Sequence, residues 1–429
     1  MSKHIYAPKV ISDPVYGIFD IRPVIQMADT EEFQSLGDKK QLGMAYLVFP
    51  AATHTRRAHS LGAYHTTREL TERWLRLGFI NQNEATALAG YALYHDIGHP
   101  AFSHVTEELC EKDNDGLGYD VMTRLKDVIE ACDIDYNLML DLASHKNPLY
   151  LAVHDKNLGM EKLDYLERDG LYTILSRPSG IDYLRNHIYF MNGGIVVDEK
   201  VVDNAVEVQS FYLKMYKNVY LRKASVIAQR MLQKMVYLLI KDGVLKPSDL
   251  PNLTDSELIG IMHTTKNAIV AALYKYLKRR ELFREAIVIR HQDFIDADNR
   301  TGKSIAAFGL TNEEIESLVN SPDLHNKNQA ALEALEHKIA DLAGIPYEEV
   351  LAVPVFNSWR FQPKDITIYR EGGQFASLRE RYPAHFKNME EIGKAYLAIR
   401  ICTTEKNRKV LSEPAIAKQI FDLVRGYIK

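Results

Sequence analysis

Apolar positions recur at helical spacing along most of this chain. Between residues 57 and 77, Leu61, Leu70, Trp74 and Leu77 fit one buried stripe. A second helix is expected over 83–96, where Ala85, Leu88, Ala89 and Ala92 allow close packing and Gly98 and Pro100 set the end. The same spacing predicts helices over 102–109, 120–131 and 160–175, the last stopped by Pro178. A long helix follows over 203–241, carried by Val206, Phe211, Met215, Val219, Ile227, Met231, Met235 and Leu238. Two more are expected over 254–285, a stretch that contains the basic cluster Lys278-Arg279-Arg280, and another over 328–343.

Strand signals are fewer. Residues 5–25 read as short extended pieces broken at Asp13-Pro14 and Tyr16-Gly17. A short helix over 30–44 begins at Thr30 with Glu31 and Glu32 in its first turn. Residues 186–202 hold a turn at Asn192-Gly193 and a strand at Ile195-Val196-Val197. In the C-terminal third, Val353-Pro354-Val355, residues 365–369 and residues 397–401 read as strands, and a helix over 413–427 closes the chain. The expected fold is mainly α, a helical core with a small α+β C-terminal annex. Its expected division is 1–50 packing on the core, 51–320 as the core with a helical extension, and 321–429 as the α+β region.

Composition narrows the function classes. The 429 residues carry a formal net charge of -4, without the cationic bias of nonspecific nucleic-acid binders, so no nucleic-acid partner is expected. Cys110, Cys132 and Cys402 form no CxxC pair, and a cytoplasmic, reducing setting is expected. The N-terminus lacks the apolar stretch of a signal peptide, and no apolar run is long enough to span a membrane.

The candidate chemistry is concentrated between residues 54 and 104, which contain six of the fifteen histidines. His95 and Asp96 are adjacent inside an apolar run, just before a glycine turn. Unpaired burial of either group is costly, whereas one imidazole nitrogen and one carboxylate oxygen can share a cation. The plainer alternative makes His95 a core histidine and Asp96 a turn cap. His59 lies in the first core helix, and a carboxylate from 161–169 would complete a set of two imidazoles and two carboxylates. Such a set suits one divalent transition metal, with Zn, Fe, Mn, Co and Ni all admissible, and Mg²⁺ is a candidate at substrate phosphates. A metal so held lowers the pKa of water and polarises phosphorus–oxygen bonds, the chemistry of phosphoester hydrolysis.

Phe49-Pro50-Ala51-Ala52-Thr53-His54-Thr55-Arg56-Arg57-Ala58-His59-Ser60-Leu61-Gly62 resembles the first signature of HD-domain phosphohydrolases. The likeness is greatest to the branch containing the deoxynucleoside triphosphate triphosphohydrolases. His95-Asp96-Ile97-Gly98-His99-Pro100-Ala101-Phe102-Ser103-His104 resembles the second signature, and residues 161–169 the third. Residues 215–220 resemble a less specific fourth element, and the likeness extends over about 36–285. It implies that His59, His95 and Asp96 ligate the metal. The fourth ligand of the family is an Asp where this chain has Glu161; Asp164, one turn later, is the alternative. It also implies phosphate contacts from Arg56 and Lys162, and a sugar and base pocket lined by Gln41, Leu42, Tyr165, Asp169 and Tyr220, with Gly43 allowing close approach. His104 is implied as general acid and His99 as a group near the phosphates; Glu107, about one turn after His104, is placed to orient or recharge its imidazole. A histidine found in many members after this helix is missing. Tyr119 stands nearest, and Tyr119-Asp120 reads as a helix start with Asp120 as its cap.

The resemblance implies hydrolysis of a deoxynucleoside triphosphate to deoxynucleoside and triphosphate. A phosphomonoesterase or phosphodiesterase acting on another nucleotide is the enzymatic alternative. A non-catalytic nucleotide-binding regulatory module is the other, favoured by Glu161 and Tyr119. A homo-oligomer, dimer or tetramer, is expected through the helices of 203–285. The Arg279-Arg280 cluster reads first as a solvated helix face, with a nucleotide effector site or an interface as the functional reading.

Overall fold

The computed structural model describes residues 8–295, 305–354 and 363–428. The architecture is mainly α, with mixed sheets gathered toward the C-terminal region. The helices that position the site are α1 (Arg56–Arg76), α2 (Gln82–Tyr94), α3 (Met160–Thr173), α4 (Val202–Met215) and α5 (Lys223–Lys241).

Helix α1 packs between α2 and α3. Its buried stripe is Ser60, Ala63, Tyr64, Thr67, Leu70, Thr71 and Trp74, so small hydroxyl residues complete what leucines alone did not mark. Leu61 is only half-buried, and Leu77, beyond the last turn, is 58% exposed. Helix α2 opens with a reciprocal capping box between Asn81 and Glu84, and its small residues bring it close to α1. A methyl group on Gly62 would meet Asp164 Oδ1 at 2.0 Å, so α1 and α3 touch where only glycine fits.

Several expected helices are shorter or broken. Residues 102–109 form two short 3₁₀ turns, Ser103–Val105 and Glu107–Leu109, rather than one helix. The expected 120–131 helix begins at Asn114, capped by Asp113, and breaks between Asn114–Arg124 and Lys126–Glu130. Asp120 is therefore not a cap; it lies within the helix and pairs with Lys112 at 2.6 Å. The single long helix over 203–241 is α4 and α5, separated by a wide π turn at Tyr216–Tyr220. Such turns reorient side chains without ending a helical run.

Strands β1 (Val10–Asp13) and β2 (Gly17–Asp20) make the N-terminal hairpin; residues 5–7 of that expectation lie outside the described residues. One four-stranded sheet has the order β3-β4-β8-β9, from Ile188–Met191, Gly194–Asp198, Thr367–Arg370 and Gln374–Ser377. The other has the order β6-β5-β10-β7, from Ala306–Leu310, Arg284–His291, Ala398–Thr403 and Val350–Val353. Val355 of the expected 353–355 strand lies outside the described residues. Strands β5 and β6 were not marked by alternation. The Ala286–Ile289 run of β5 is buried throughout, so both faces are apolar. Both sheets thus pair strands across residue 321. Among the described residues no helix is long and apolar enough to cross a membrane.

The helical extension grips the loop that follows α2. Lys39 Nζ donates to the carbonyls of His99 and Pro251 at 2.7 and 2.9 Å. The Phe102 amide donates to Asp255 Oδ1 at 2.7 Å, and Gln233 Nε2 donates to the Val105 carbonyl at 3.1 Å. Phe102 is held in the left-handed region at φ 52°, a conformation a large side chain adopts only when its surroundings fix it.

Candidate metal centre

The first turn of α1 is fixed by Thr55, whose hydroxyl accepts from the Ala58 amide. That turn places Arg56 and His59 on one face. His95 follows the last residue of α2, and its Nδ1 faces the Ala92 carbonyl at 2.7 Å. After Asp96 the chain turns at Gly98, where an added methyl group would lie 2.2 Å from the Gly118 nitrogen and 2.5 Å from the Asn114 carbonyl. The turn is therefore packed directly on the backbone of the 114–124 helix. Helix α3 delivers Glu161 and Asp164.

Hydrogen bonding decides the tautomers of the two imidazoles. His59 Nδ1 faces the Asp164 carboxylate at 2.7 Å and His95 Nδ1 faces a carbonyl, so both Nδ1 atoms carry the proton in the neutral rings. Both Nε2 lone pairs then point at one another across 3.1 Å. Two acceptors at that distance repel, and a shared cation removes the conflict. Asp96 completes the cradle, with its Oδ1 3.4 Å from His95 Nε2 and its Oδ2 3.9 Å from His59 Nε2. The three ligand atoms lie within 4.8 Å of one another and all three residues are buried. This His/His/Asp cluster suits one divalent metal ion. Glu161 reaches the edge of the cradle, its Oε2 3.5 Å from His95 Nε2. Asp164, the alternative ligand, stands behind His59 instead. Its Oδ2 also accepts from Arg168 Nε at 3.0 Å and its Oδ1 from Arg168 Nη2 at 2.9 Å, so both oxygens are already engaged.

The electrostatics follow from burial and close pairing. Burial opposes ionisation of Asp96, but His99 and Arg56 hold it well below the usual carboxylate range. Arg56 Nη1 donates to Asp96 Oδ2 at 2.7 Å, and Arg56 Nε to Ser103 Oγ at 2.5 Å. Its Nη2 is buried without a protein partner. Burial and the Arg56 charge keep His99 well below the usual histidine range. His99 Nδ1 lies 3.2 Å from Asp96 Oδ1.

Three cavities meet here. A cavity of about 340 Å³ holds the His/His/Asp set with Arg56, His99, Glu107 and Glu161. An aromatic cavity of about 250 Å³ is lined by Leu42, Gly43, Asp169, Tyr212, Tyr216 and Tyr220. Gln41, His104 and Tyr165 line both. Gln41 Oε1 is buried without a protein partner. Asp169 has both oxygens taken, one by His54 Nε2 and one by the Tyr220 hydroxyl, each at 2.8 Å. The His104 side chain is 59% exposed, and its Nδ1 lies 3.7 Å from Glu107 Oε2.

Lys162 lies elsewhere. Its Nζ donates to the Lys156 carbonyl at 2.6 Å and sits 3.4 Å from the centre of the Tyr212 ring. It lines the third cavity, about 930 Å³, and burial lowers its pKa to about 7. Tyr119 lines none of these three cavities. Asp113, Asn114 and Asp115, at the start of that helix, line the metal cavity. His154, unmarked by the sequence reading, lines both the metal cavity and the larger one, with its Nδ1 3.0 Å from Glu161 Oε1. Burial works against its charged form, yet the Glu161 carboxylate lifts its pKa to about 9. The only available signal was a histidine shortly before Glu161, separated from it by the turn-forming Asp155 and Gly159.

Comparisons with known proteins agree with this geometry. Residues 56–166 match the HD domain and residues 181–307 the HD associated region. An HD domain-containing protein of Acanthamoeba polyphaga mimivirus is 30% identical over 301 residues, 60% of this chain and 65% of that protein. The deoxynucleoside triphosphate triphosphohydrolase SAMHD1 homolog of Dictyostelium discoideum is 26% identical over 304 residues, 63% of this chain and 58% of that protein. The chain thus spans less than two thirds of the length of these relatives. A phosphohydrolase of Bacteroides thetaiotaomicron shares the fold, with a TM-score of 0.69 at 21% identity over 92% of this chain and 100% of that one.

Proposed function

We propose that this chain, which matches the HD domain and the HD associated region and resembles SAMHD1-like proteins distantly, is a metal-dependent phosphohydrolase that hydrolyses a deoxynucleoside triphosphate to deoxynucleoside and inorganic triphosphate. The observation that carries hydrolysis is the pair of converging imidazole lone pairs beside Asp96 at the floor of a cavity. A divalent metal held by His59, His95 and Asp96 would supply an activated water and a Lewis acid. The chain's own residues do the rest. The free Arg56 Nη2 offers a charge-assisted bond to a phosphate oxygen, in a site already shielded from water. His104 stands between the metal cavity and the aromatic cavity, where the bond between phosphate and sugar would lie, and gives its proton to the departing 5′ oxygen. Glu107 orients it, His99 stands near the phosphates, and Glu161 joins the metal set. Gln41, Leu42, Tyr165, Asp169 and Tyr220 hold sugar and base. Lys162 meets the outer phosphates from the larger cavity.

A release assay across nucleoside mono-, di- and triphosphates, with products separated by ion-exchange chromatography and metal content measured in parallel, tests this. Triphosphate and deoxynucleoside are expected. Orthophosphate from a monophosphate would assign a phosphomonoesterase instead, and nucleotide binding without turnover a regulatory module.

His104→Ala is expected to lower turnover about 10²-fold or more, the scale of a lost acid/base group, while metal content stays at the wild-type level. Loss of metal in proportion to activity would show that His104 holds the site together instead.

The proposal includes a homo-oligomer built through α4, α5 and the following helices, in the cytoplasm. Light scattering at micromolar protein, with and without nucleotides, is expected to give at least a dimer mass; a monomer under both conditions refutes it. The cluster at the end of the extension is partly engaged already, since Arg280 Nε donates to the Leu47 carbonyl at 2.5 Å.

A further inference from the structure

We propose that His154 is a positioning residue that sets the reach of Glu161 at the metal centre; the inference rests on the reading of Glu161 as a ligand. Glutamate has one more rotatable bond than aspartate. A ligand of that length needs its carboxylate held if it is to meet a metal at a fixed distance. The two oxygens of Glu161 are divided in this way. Oε1 lies 3.0 Å from His154 Nδ1 in an ion-pair contact, and Oε2 faces the cradle, 3.5 Å from His95 Nε2. The His154 ring also stands edge-on to the His95 ring, with centroids 5.6 Å apart.

The backbone between the two residues is built to hold this contact. The short helix Leu151–His154 ends at Asp155, whose Oδ1 accepts from the amides of Asn157 and Leu158 at 2.9 and 2.8 Å. The chain then doubles back so tightly that a methyl group on Gly159 would lie 2.2 Å from the Val153 carbonyl and 2.6 Å from the Asp155 nitrogen. Gly159 is the residue before α3, so this turn fixes His154 against the first turn of the helix that carries Glu161.

The test uses the whole chain, stripped with a chelator and titrated with Co²⁺, with affinity read by competition and geometry by the visible absorption spectrum. His154→Phe keeps the ring volume and removes the donor; it is expected to weaken Co²⁺ binding about 10- to 100-fold, the usual cost of losing a group that orients a ligand. His154→Asn places an amide N–H near the former Nδ1 and is expected to restore most of that affinity. Glu161→Ala tests the underlying reading and is expected to weaken binding at least as much. Thermal unfolding of each metal-free variant confirms that it is folded. Wild-type affinity in His154→Phe with weakened binding in Glu161→Ala overturns the proposal and leaves the ligand assignment standing. Equal loss in His154→Phe and His154→Asn overturns the donor role. Wild-type affinity in Glu161→Ala removes the ligand reading and the proposal together.

Discussion

His95→Ala is expected to lose both the bound metal and hydrolysis, with the fold retained. The His95 side chain is fully buried, and its Nδ1 is committed to the Ala92 carbonyl, so its Nε2 has one orientation only. Removing it takes away one of the two facing lone pairs and leaves His59 and Asp96 as the core of the set. Without the second imidazole, His59, Asp96 and Glu161 are an incomplete set for a borderline divalent ion. Elemental analysis of the purified variant should read at the level of the buffer, and turnover should fall to background in the same preparation. Full metal content in His95→Ala would refute the centre described here. The local cost to the fold is expected to be small because the cavity beside the ring already admits water-sized space.

Asp164→Ala is expected to cost about 3–5 kcal/mol of stability, the range for breaking a buried ion pair from one side. Asp164 is fully buried and takes two bonds from Arg168 and one from His59 Nδ1. Without it Arg168, also fully buried, keeps Asp13 Oδ2 at 2.8 Å as its carboxylate partner among the described residues. The charge has no route to solvent, and Gly62 on the facing helix leaves space rather than a replacement acceptor. Urea unfolding of the metal-free protein checks the figure; a change under about 1 kcal/mol would mean that water enters and solvates Arg168. The same variant should bind metal less tightly, because His59 loses the acceptor that fixes its tautomer. The pH dependence has a definite sign. Burial opposes ionisation of Asp164, but Arg168 and His59 outweigh it and hold the pKa below the ordinary value. Its contribution to stability is therefore fully present above the unfolded-state value of about 3.9 and is lost as acid titrates the folded form below that. Wild-type and variant stabilities should accordingly converge in strong acid, not near neutrality.

The sequence by itself determined the helical core and the centre of the site. Helical periodicity marked α1, α2 and α3 because one face of each is buried, and the adjacent His95-Asp96 stood out because burying such a pair without a purpose is costly. The register of α1 was less legible. Thr67 and Thr71 occupy its buried stripe, and small hydroxyl residues carry little hydropathy signal even where they pack. Strand β5 shows no period-two alternation because alternation exists only where one sheet face meets solvent, and its buried run has no such face.

Tertiary structure alone decided how the polar groups were shared out. Asp164 is engaged by Arg168, one helical turn beyond it, and Arg168 in turn by Asp13 from the N-terminal hairpin. Lys162 adjoins Glu161 in sequence, yet successive positions on a helix point about 100° apart, and its amine lies over Tyr212 in another cavity. The pairings of His154 with Glu161 and of His54 with Asp169 join residues on separate elements, brought together only by the turns between them. Periodicity reports which face of an element is buried. It carries no information about which buried donor meets which acceptor, because that depends on turns such as Gly159 and Gly98 that fold distant backbone onto itself.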